Sequence, residues 1–444
     1  MSASPPPFMG DSEAQNPRLA MFANMDFSGV LRGRSFPMER WEEVATHGLP
    51  WVPANVLLSP LNTIPVPNPF GPLGETRLRA GEGKPMTLPA RGDRPALQLH
   101  VCDILTTEDD PWPVCPRGQL KAATGALRAH GLTLRVGFEQ ECYITGLQEQ
   151  ATPAFSLAGT RAASGLAMEV QAMLGTTGTR LEQFVAEFGE YQFEVAAPPL
   201  EALEAADFVV FTREAIRDAA RGRGGHATFA PKPFANAPGS GVHIHLSLWQ
   251  DDRPVLARND TLSDTAQHFL AGILFHLPQI LALTTASHNS FGRLQPSSWV
   301  GIYNCWGTRN REAAVRFCPR GRAADGSNPR ATLEYRLSDG SASPHIALAA
   351  LIRAGVDGLA DRLTLPSDVQ ADPATLSDAE RAAISVTDIP RSLSDAVAAL
   401  ERSGIASTWF DPLFEAALLS VRRNDISDAT AAGKDYAKKF RAAV

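Results

Sequence analysis

Ionisable side chains recur at alternate positions of several short apolar runs, and the groups they carry can hold cations and phosphate. In GSGVHIHLSL (residues 239–248), His243, His245 and Ser247 alternate with Val242, Ile244, Leu246 and Leu248. A strand sends alternate side chains to opposite faces, so two imidazoles and a hydroxyl share one face and the aliphatic groups take the other. The arrangement repeats. In LRVGFEQECYI, Glu139 and Glu141 share a face opposite Leu134, Val136, Phe138, Cys142 and Ile144. In EYQFEVA, Gln192 and Glu194 oppose Phe193 and Val195, and in ATLEYRL, Thr332, Glu334 and Arg336 oppose Leu333, Tyr335 and Leu337.

Unpaired carboxylates are strongly disfavoured in a dry interior. If these faces converge, metal ions or nearby arginines must stand among them; otherwise the sheet is open to bulk water. The carboxylates Glu139, Glu141, Glu187, Glu194 and Glu334 with His243 make an oxygen-rich set that suits Mg²⁺ or Mn²⁺ better than zinc. Downstream, Arg293, Arg309, Arg311, Arg316 and Arg336 suit phosphate or carboxylate ligands, which a guanidinium binds in a planar fork. Metals and arginines together imply phosphoryl chemistry. Neither GxxxxGK[ST] nor a GxGxxG following a strand is present, so ATP would need a different cradle. Gly239-Ser240-Gly241 reads as a turn permitting close backbone approach.

The elements that must position these groups fill an ordinary globular chain. Its 444 residues, 44% hydrophobic and 20% charged, are enough for two domains or one large domain with a smaller partner. A net charge of −7 without a long basic run excludes an electrostatic footprint for nucleic acid. Five cysteines without a CxxC pair give neither a disulfide framework nor a thiolate zinc site, and point to a cytoplasmic protein. No apolar run has membrane-spanning length and no signal-peptide pattern is evident.

Residues 1–16 read as a disordered Pro/Ser tail, and residues 17–112 as a small β-rich domain with long loops. The helix-like CPRGQLKAATGALRAHG, closed by Gly131, opens a larger domain over residues 113–444. There the pattern predicts strands at LTLRVGFEQECYIT, EYQFEVAA, HATFAPKP, GVHIHLSLW and ATLEYRLS. It predicts helices at EALEAADFVVFTREAIRDAARG, SDTAQHFLAGILFHLPQILALTT, SPHIALAALIRAGVDGLADRL and LSDAVAALERS, the second as one long helix.

The ordered series FEQE, EFGEYQFE, HATFAPKP, GSGVHIHLS, NSFGRLQP, TRNREAAVRF, LEYR and SPHIALAALIRAG resembles the motifs of the glutamine synthetase superfamily over roughly residues 15–430. The resemblance implies an α+β fold: a small N-terminal β-grasp-like domain, then a catalytic domain whose curved antiparallel sheet, a half-barrel, is backed by helices. It also implies ATP with two or three Mg²⁺ or Mn²⁺ and a dodecamer of two stacked hexameric rings. By that resemblance Glu141, Glu187 and Glu194 hold one metal, and Glu139, His243 and Glu334 a second. His245 and Ser247 match nucleotide contacts. Arg293 and Arg336 match the arginines that hold glutamate, Arg311 and Arg316 those that steady the transferred phosphoryl group, and Gly239 a backbone contact to the amino acid.

Two departures bear on the substrate. Ammonia-using members carry an acid six residues after the arginine of NSYxRL; counting from Arg293 reaches Trp299. The weakly aligned N-terminal segment HGLPWVPAN has no acid either and offers Trp51 instead. Without those acids a cationic ammonium loses its attraction and its base, whereas an organic amine gains aromatic contact. Trp299 and NCWG resemble the branch making γ-glutamyl amides of polyamines, ethanolamine or alkylamines. An ammonia-using glutamine synthetase and a catalytically inactive regulator are the alternatives. Thr332 stands where the family has a phosphate-contacting arginine, for which Arg330 or Arg322 could compensate. His226 and His345 read as structural, Cys142 as core filler, and Lys232 as a cap or ion-pair partner rather than a nucleotide contact.

Overall fold

A computed structural model describes residues 17–147, 153–321 and 323–444; the expected tail and Arg322 lie outside the described residues. Strands β1–β6 (Leu19–Met25, Leu31–Pro37, Leu49–Trp51, Thr76–Ala80, Met86–Leu88, Leu97–Leu105) form one sheet with a short helix α1 (Trp41–His47). In it, β1 pairs parallel with β6 and antiparallel with β2. Helix α2 (Pro116–Ala129) follows, with Pro116 in its first turn and the Cys115 sulfur accepting from Gly118 N. Gly131, just past its end, takes the left-handed conformation at φ 74°.

The second sheet carries the polar faces. Its strands are β7 (Thr133–Thr145), β8 (Gln183–Ala186), β9 (Gln192–Ala196), β10 (Leu200–Glu201), β11 (His226–Thr228), β12 (Val242–Gln250) and β13 (Arg253–Pro254). A two-stranded ribbon, β14 (Ala257–Arg258) with β15 (Thr261–Leu262), stands apart. The sheet continues with β16 (Tyr303–Thr308), β17 (Ala313–Cys318), β18 (Thr332–Tyr335) and β19 (Thr387–Asp388), in the order β19-β16-β17-β18-β12-β7-β9-β8. Its ladders are antiparallel, as expected, except for β16 against β17, which pair parallel.

The helices are α3 (Leu157–Gly175), α4 (Ala202–Gly222), α5 (Asp264–Phe275), α6 (Leu277–Thr284), α7 (Pro344–Ala360), α8 (Asp378–Ala383), α9 (Leu393–Ser403), α10 (Ala406–Trp409), α11 (Pro412–Ala432) and α12 (Tyr436–Ala443). The single long helix expected over residues 263–285 is instead α5 and α6, bent by 74°. Pro278 has no N–H to give to the Leu274 carbonyl; Asn304 Nδ2 in β16 bonds that carbonyl at 3.0 Å. Among the described residues no single helix is long and apolar enough to cross a membrane.

The apolar faces of β7, β12 and β18 meet α2, α5, α6 and α7 in one large core, while a second core gathers Cys142, Phe193 and Val195 with α3, α4 and α12. Behind the acidic face of β7, Gln140 points into protein, where buried Arg213 Nε donates to its Oε1 at 3.0 Å. His345 is fully buried with Nε2 2.8 Å from Asp207, which Arg117 also binds. Trp51 packs in the core at 6% exposure, which withdraws its ring from the substrate role expected of it.

Helices α5 and α7 cross at paired glycines. A Cβ on Gly272 would stand 2.1 Å from the Ala354 carbonyl oxygen, and one on Gly358 2.2 Å from that of His268. Gly272→Ala is expected to lower the unfolding temperature measured by calorimetry, through an overpacking cost of roughly 1–3 kcal/mol or more.

Candidate active site

Cross-strand register brings the polar groups together. On the shared polar face Glu139 lies opposite His243, Glu141 opposite Glu194, His245 opposite Glu334, and Glu334 opposite Arg316. Directly opposed side chains on neighbouring strands are within contact range, so five strands, β7, β9, β12, β17 and β18, assemble the cluster. Glu187 joins from the turn after β8, and Trp299, Arg309 and Arg311 from the segments flanking β16.

These groups face a cavity of about 1250 Å³. All the residues expected at the site line it except His245 and Ser247: Glu139, Glu141, Glu187, Glu194, Gly239, His243, Arg293, Trp299, Arg311, Arg316, Glu334 and Arg336. His245 stands just behind, its Nε2 3.3 Å from Glu139 and its Nδ1 2.9 Å from Thr332 Oγ1. Thr332 thus occupies the imidazole. Ser247 is buried farther along the strand, where its oxygen accepts from Trp249 Nε1 at 3.2 Å. Lys232 also lines the cavity and donates to the Ala237 carbonyl at 2.7 Å.

Charge is divided unevenly within the cluster. Burial pushes Glu194 up to about 9, and Glu139, Glu141, Glu187 and Glu334 add like-charge repulsion. Burial likewise raises Glu141 to about 7, although Gly241 N donates to its Oε2 at 2.8 Å. For Glu139, burial is outweighed by the hydrogen bonds of His243 and His245, which hold the carboxyl far below its usual range. Burial also opposes ionisation of Glu334, but Arg336, His243, His245 and Arg316 bring it down to about 2. Both guanidinium groups contact it directly. His243, desolvated, falls to about 4 and is neutral at physiological pH, as a metal ligand must be.

Glu194 therefore keeps a proton at neutral pH for want of positive charge. Ligand atoms of Glu139, Glu194 and His243 lie within 4.8 Å of one another, and carboxylate oxygens with one imidazole fit a hard divalent cation. Arg293 is buried and hydrogen-bonded through Nη2 to the Leu337 and Ser338 carbonyls, while its Nε has no hydrogen-bond partner. Gly239 packs so closely on it that a Cβ there would stand 2.4 Å from Arg293 Cγ.

Sequence profiles of two domains match in tandem, the glutamine synthetase N-terminal domain over residues 8–112 and the glutamine synthetase catalytic domain over residues 113–439. The chain belongs to the glutamine synthetase family. It is accordingly an ATP-dependent ligase that forms C–N bonds, of a family that uses divalent metals and joins glutamate to ammonia or an amine. A γ-glutamylpolyamine synthetase of Streptomyces coelicolor is 32% identical, aligned over 93% of this chain and 90% of its own. A glutamine synthetase of Thermococcus kodakarensis is 33% identical over 88% and 85%. Among solved structures, one described as a novel glutamine synthase homolog superposes with a TM-score of 0.85 at 34% identity, covering 96% of this chain and 98% of that one.

Several cavity residues escaped the sequence reading. Phe188 follows Glu187 directly, and Glu312 sits inside TRNREAAVRF without having been singled out. Phe155, Gln295 and Asp372 come from loops with no periodic signal.

Metal binding should expel the Glu194 proton. Below about 9 the metal-free carboxyl is protonated, so Mg²⁺ affinity is expected to rise between about pH 7 and 9, by up to about tenfold per unit for one proton. Calorimetry in buffers of different ionisation enthalpy reads the released proton, and Glu194→Gln should remove it.

Proposed function

We propose that this ligase joins glutamate to an organic amine, forming a γ-glutamyl amide through γ-glutamyl phosphate. The observation that carries this reading is the rim of the cavity. Phe155, Phe188 and Trp299 present rings that are 59%, 56% and 57% exposed, packed edge to face with centroids 5.3 and 5.7 Å apart. Phe155 and Trp299 both hold left-handed backbones, at φ 55° and 58°, a conformation unfavourable to bulky residues and concentrated at functional positions. An aromatic rim of this kind favours an amine with carbon to bury over bare ammonium.

Arg293 and Arg336 would hold the glutamate carboxylates beside Gly239, while Arg311 and Arg316 would steady the phosphoryl oxygens and His245 and Ser247 would serve the nucleotide. Glu141, Glu187 and Glu194 would hold one Mg²⁺ or Mn²⁺, and Glu139, His243 and Glu334 another. Bound there, a divalent ion neutralises phosphate charge and polarises the phosphoryl oxygens. We place the enzyme in the cytoplasm as a homo-oligomer, with a dodecamer as the expected form.

Similarity to the γ-glutamylpolyamine synthetase supports this reading, and similarity to the Thermococcus glutamine synthetase supports an ammonia-using alternative. All six expected metal ligands stand at one cavity, which opposes an inactive regulator. With glutamate, ATP and Mg²⁺, phosphate release is expected to respond to diamines, ethanolamine or alkylamines at least about tenfold more than to equal ammonium chloride. Equal rates with ammonium would overturn the organic-amine reading. Trp299→Ala should raise KM for the preferred amine roughly fivefold, as expected for loss of about 1 kcal/mol of ring contact, and leave KM for glutamate nearly unchanged.

A further inference from the structure

The amine half-reaction needs a group to take a proton, and neither acid that serves ammonia-using relatives has a counterpart at the expected sequence positions. We infer that Glu312 supplies that function, accepting the proton of the incoming ammonium group. The inference rests on the proposed ligase reaction and names the residue that activates its nucleophile.

The position is set by Trp299. Its backbone N–H donates to Glu312 Oε1 at 2.7 Å, and its carbonyl accepts from Arg336 Nη2. The backbone of one residue thus links Glu312 to an arginine that also contacts Glu334 at the acidic cluster. The same residue sets its indole at the cavity rim, so a surface for the carbon of an amine and a carboxylate for its nitrogen line the same cavity and are joined through Trp299.

Elimination among the acids of the cavity gives the same residue. Glu334 is engaged by two guanidinium groups, Glu139 contacts both histidines, and Glu141 accepts from Gly241. Glu187 and Glu194 belong to the like-charged cluster. Away from it, Asp372 also lines the cavity, but Ala374 N occupies its Oδ1 at 2.9 Å and Ser297 Oγ its Oδ2 at 2.8 Å. Glu312 is 8% exposed, and no described residue bonds its Oε2. Of the charges facing it, Asp372 raises and Arg336 lowers its proton affinity; burial is the largest influence, and the net is upward, toward a stronger base than an ordinary carboxylate.

The chemistry balances. R–NH₃⁺ gives one proton to the Glu312 carboxylate and becomes R–NH₂. Its lone pair forms the C–N bond to the acyl carbon of γ-glutamyl phosphate, and the C–O bond to phosphate breaks with its electron pair leaving on oxygen. The second nitrogen proton passes to the departing phosphate, and Glu312 returns its proton to solvent.

The test compares protonated nucleophiles with hydroxylamine, which is already the free base at neutral pH and needs no proton removed before it attacks. Glu312→Gln, which keeps an acceptor for Trp299 N–H, is expected to lower kcat with an alkylamine at least about 100-fold while hydroxamate formation from hydroxylamine stays within about threefold. Raising the pH should partly restore alkylamine turnover in the variant, because more free amine is then present. Glu312→Asp, which retains a carboxylate, should keep a tenth or more of the alkylamine rate. Equal loss with both nucleophiles in Glu312→Gln, alongside an active Glu312→Asp, would assign Glu312 a structural role and overturn the inference, as would unchanged alkylamine turnover. If the wild type uses ammonium rather than alkylamines, the organic-amine reading fails, and the comparison of ammonium with hydroxylamine still decides the base.

Discussion

Crowding of negative charge is the constraint on which the rest depends. Glu139, Glu141, Glu187, Glu194 and Glu334 face one cavity and repel one another, and the molecule holds them there by means unrelated to the carboxylates themselves. Backbone ladders fix Glu139, Glu141, Glu194 and Glu334 at opposed positions, and the apolar undersides of the same strands bury in the core. Arg213, buried behind β7, grips Gln140 between the two glutamates. The sheet thus maintains an arrangement that electrostatics alone would disperse, leaving a site with an affinity for cations built into its geometry.

Compensation is selective. Two imidazoles keep Glu139 ionised and two guanidinium groups keep Glu334 ionised, whereas Glu194 has no cation and retains its proton. Two of the arginines expected to receive anions are therefore not idle before substrate arrives: Arg316 and Arg336 share Glu334, whereas Arg293 keeps a buried nitrogen without a partner among the described residues. Such shared charge keeps guanidinium groups oriented at low cost, since each stays paired until a better anion displaces the carboxylate.

Alternation made the polar faces legible in sequence, because a strand's period of two writes burial directly into residue order. It identified β7, β9, β12 and β18 and placed the ionisable groups on the correct sides. Pairing was not legible: that His243 meets Glu139 rather than Glu141 depends on register between segments a hundred residues apart. The parallel joining of β16 to β17 depends on pairing between segments and carries no local signal, whereas the break at Pro278 was written in the sequence, as a residue without an N–H inside an otherwise continuous apolar helical pattern. Counting from Arg293 found Trp299 but not its partner, because Glu312 reaches the indole residue through a side chain from the turn just before β17. Phe155 belongs to a loop in which no period exists to be read.

The pairing of β12 with its neighbours has one last consequence. A slip of a single residue would turn His243 and His245 inward and set Val242, Ile244 and Leu246 toward the cavity, removing imidazoles from both sides of Glu139 together. Half-correct assembly gains nothing, so a chain can acquire its chemistry only by completing its architecture.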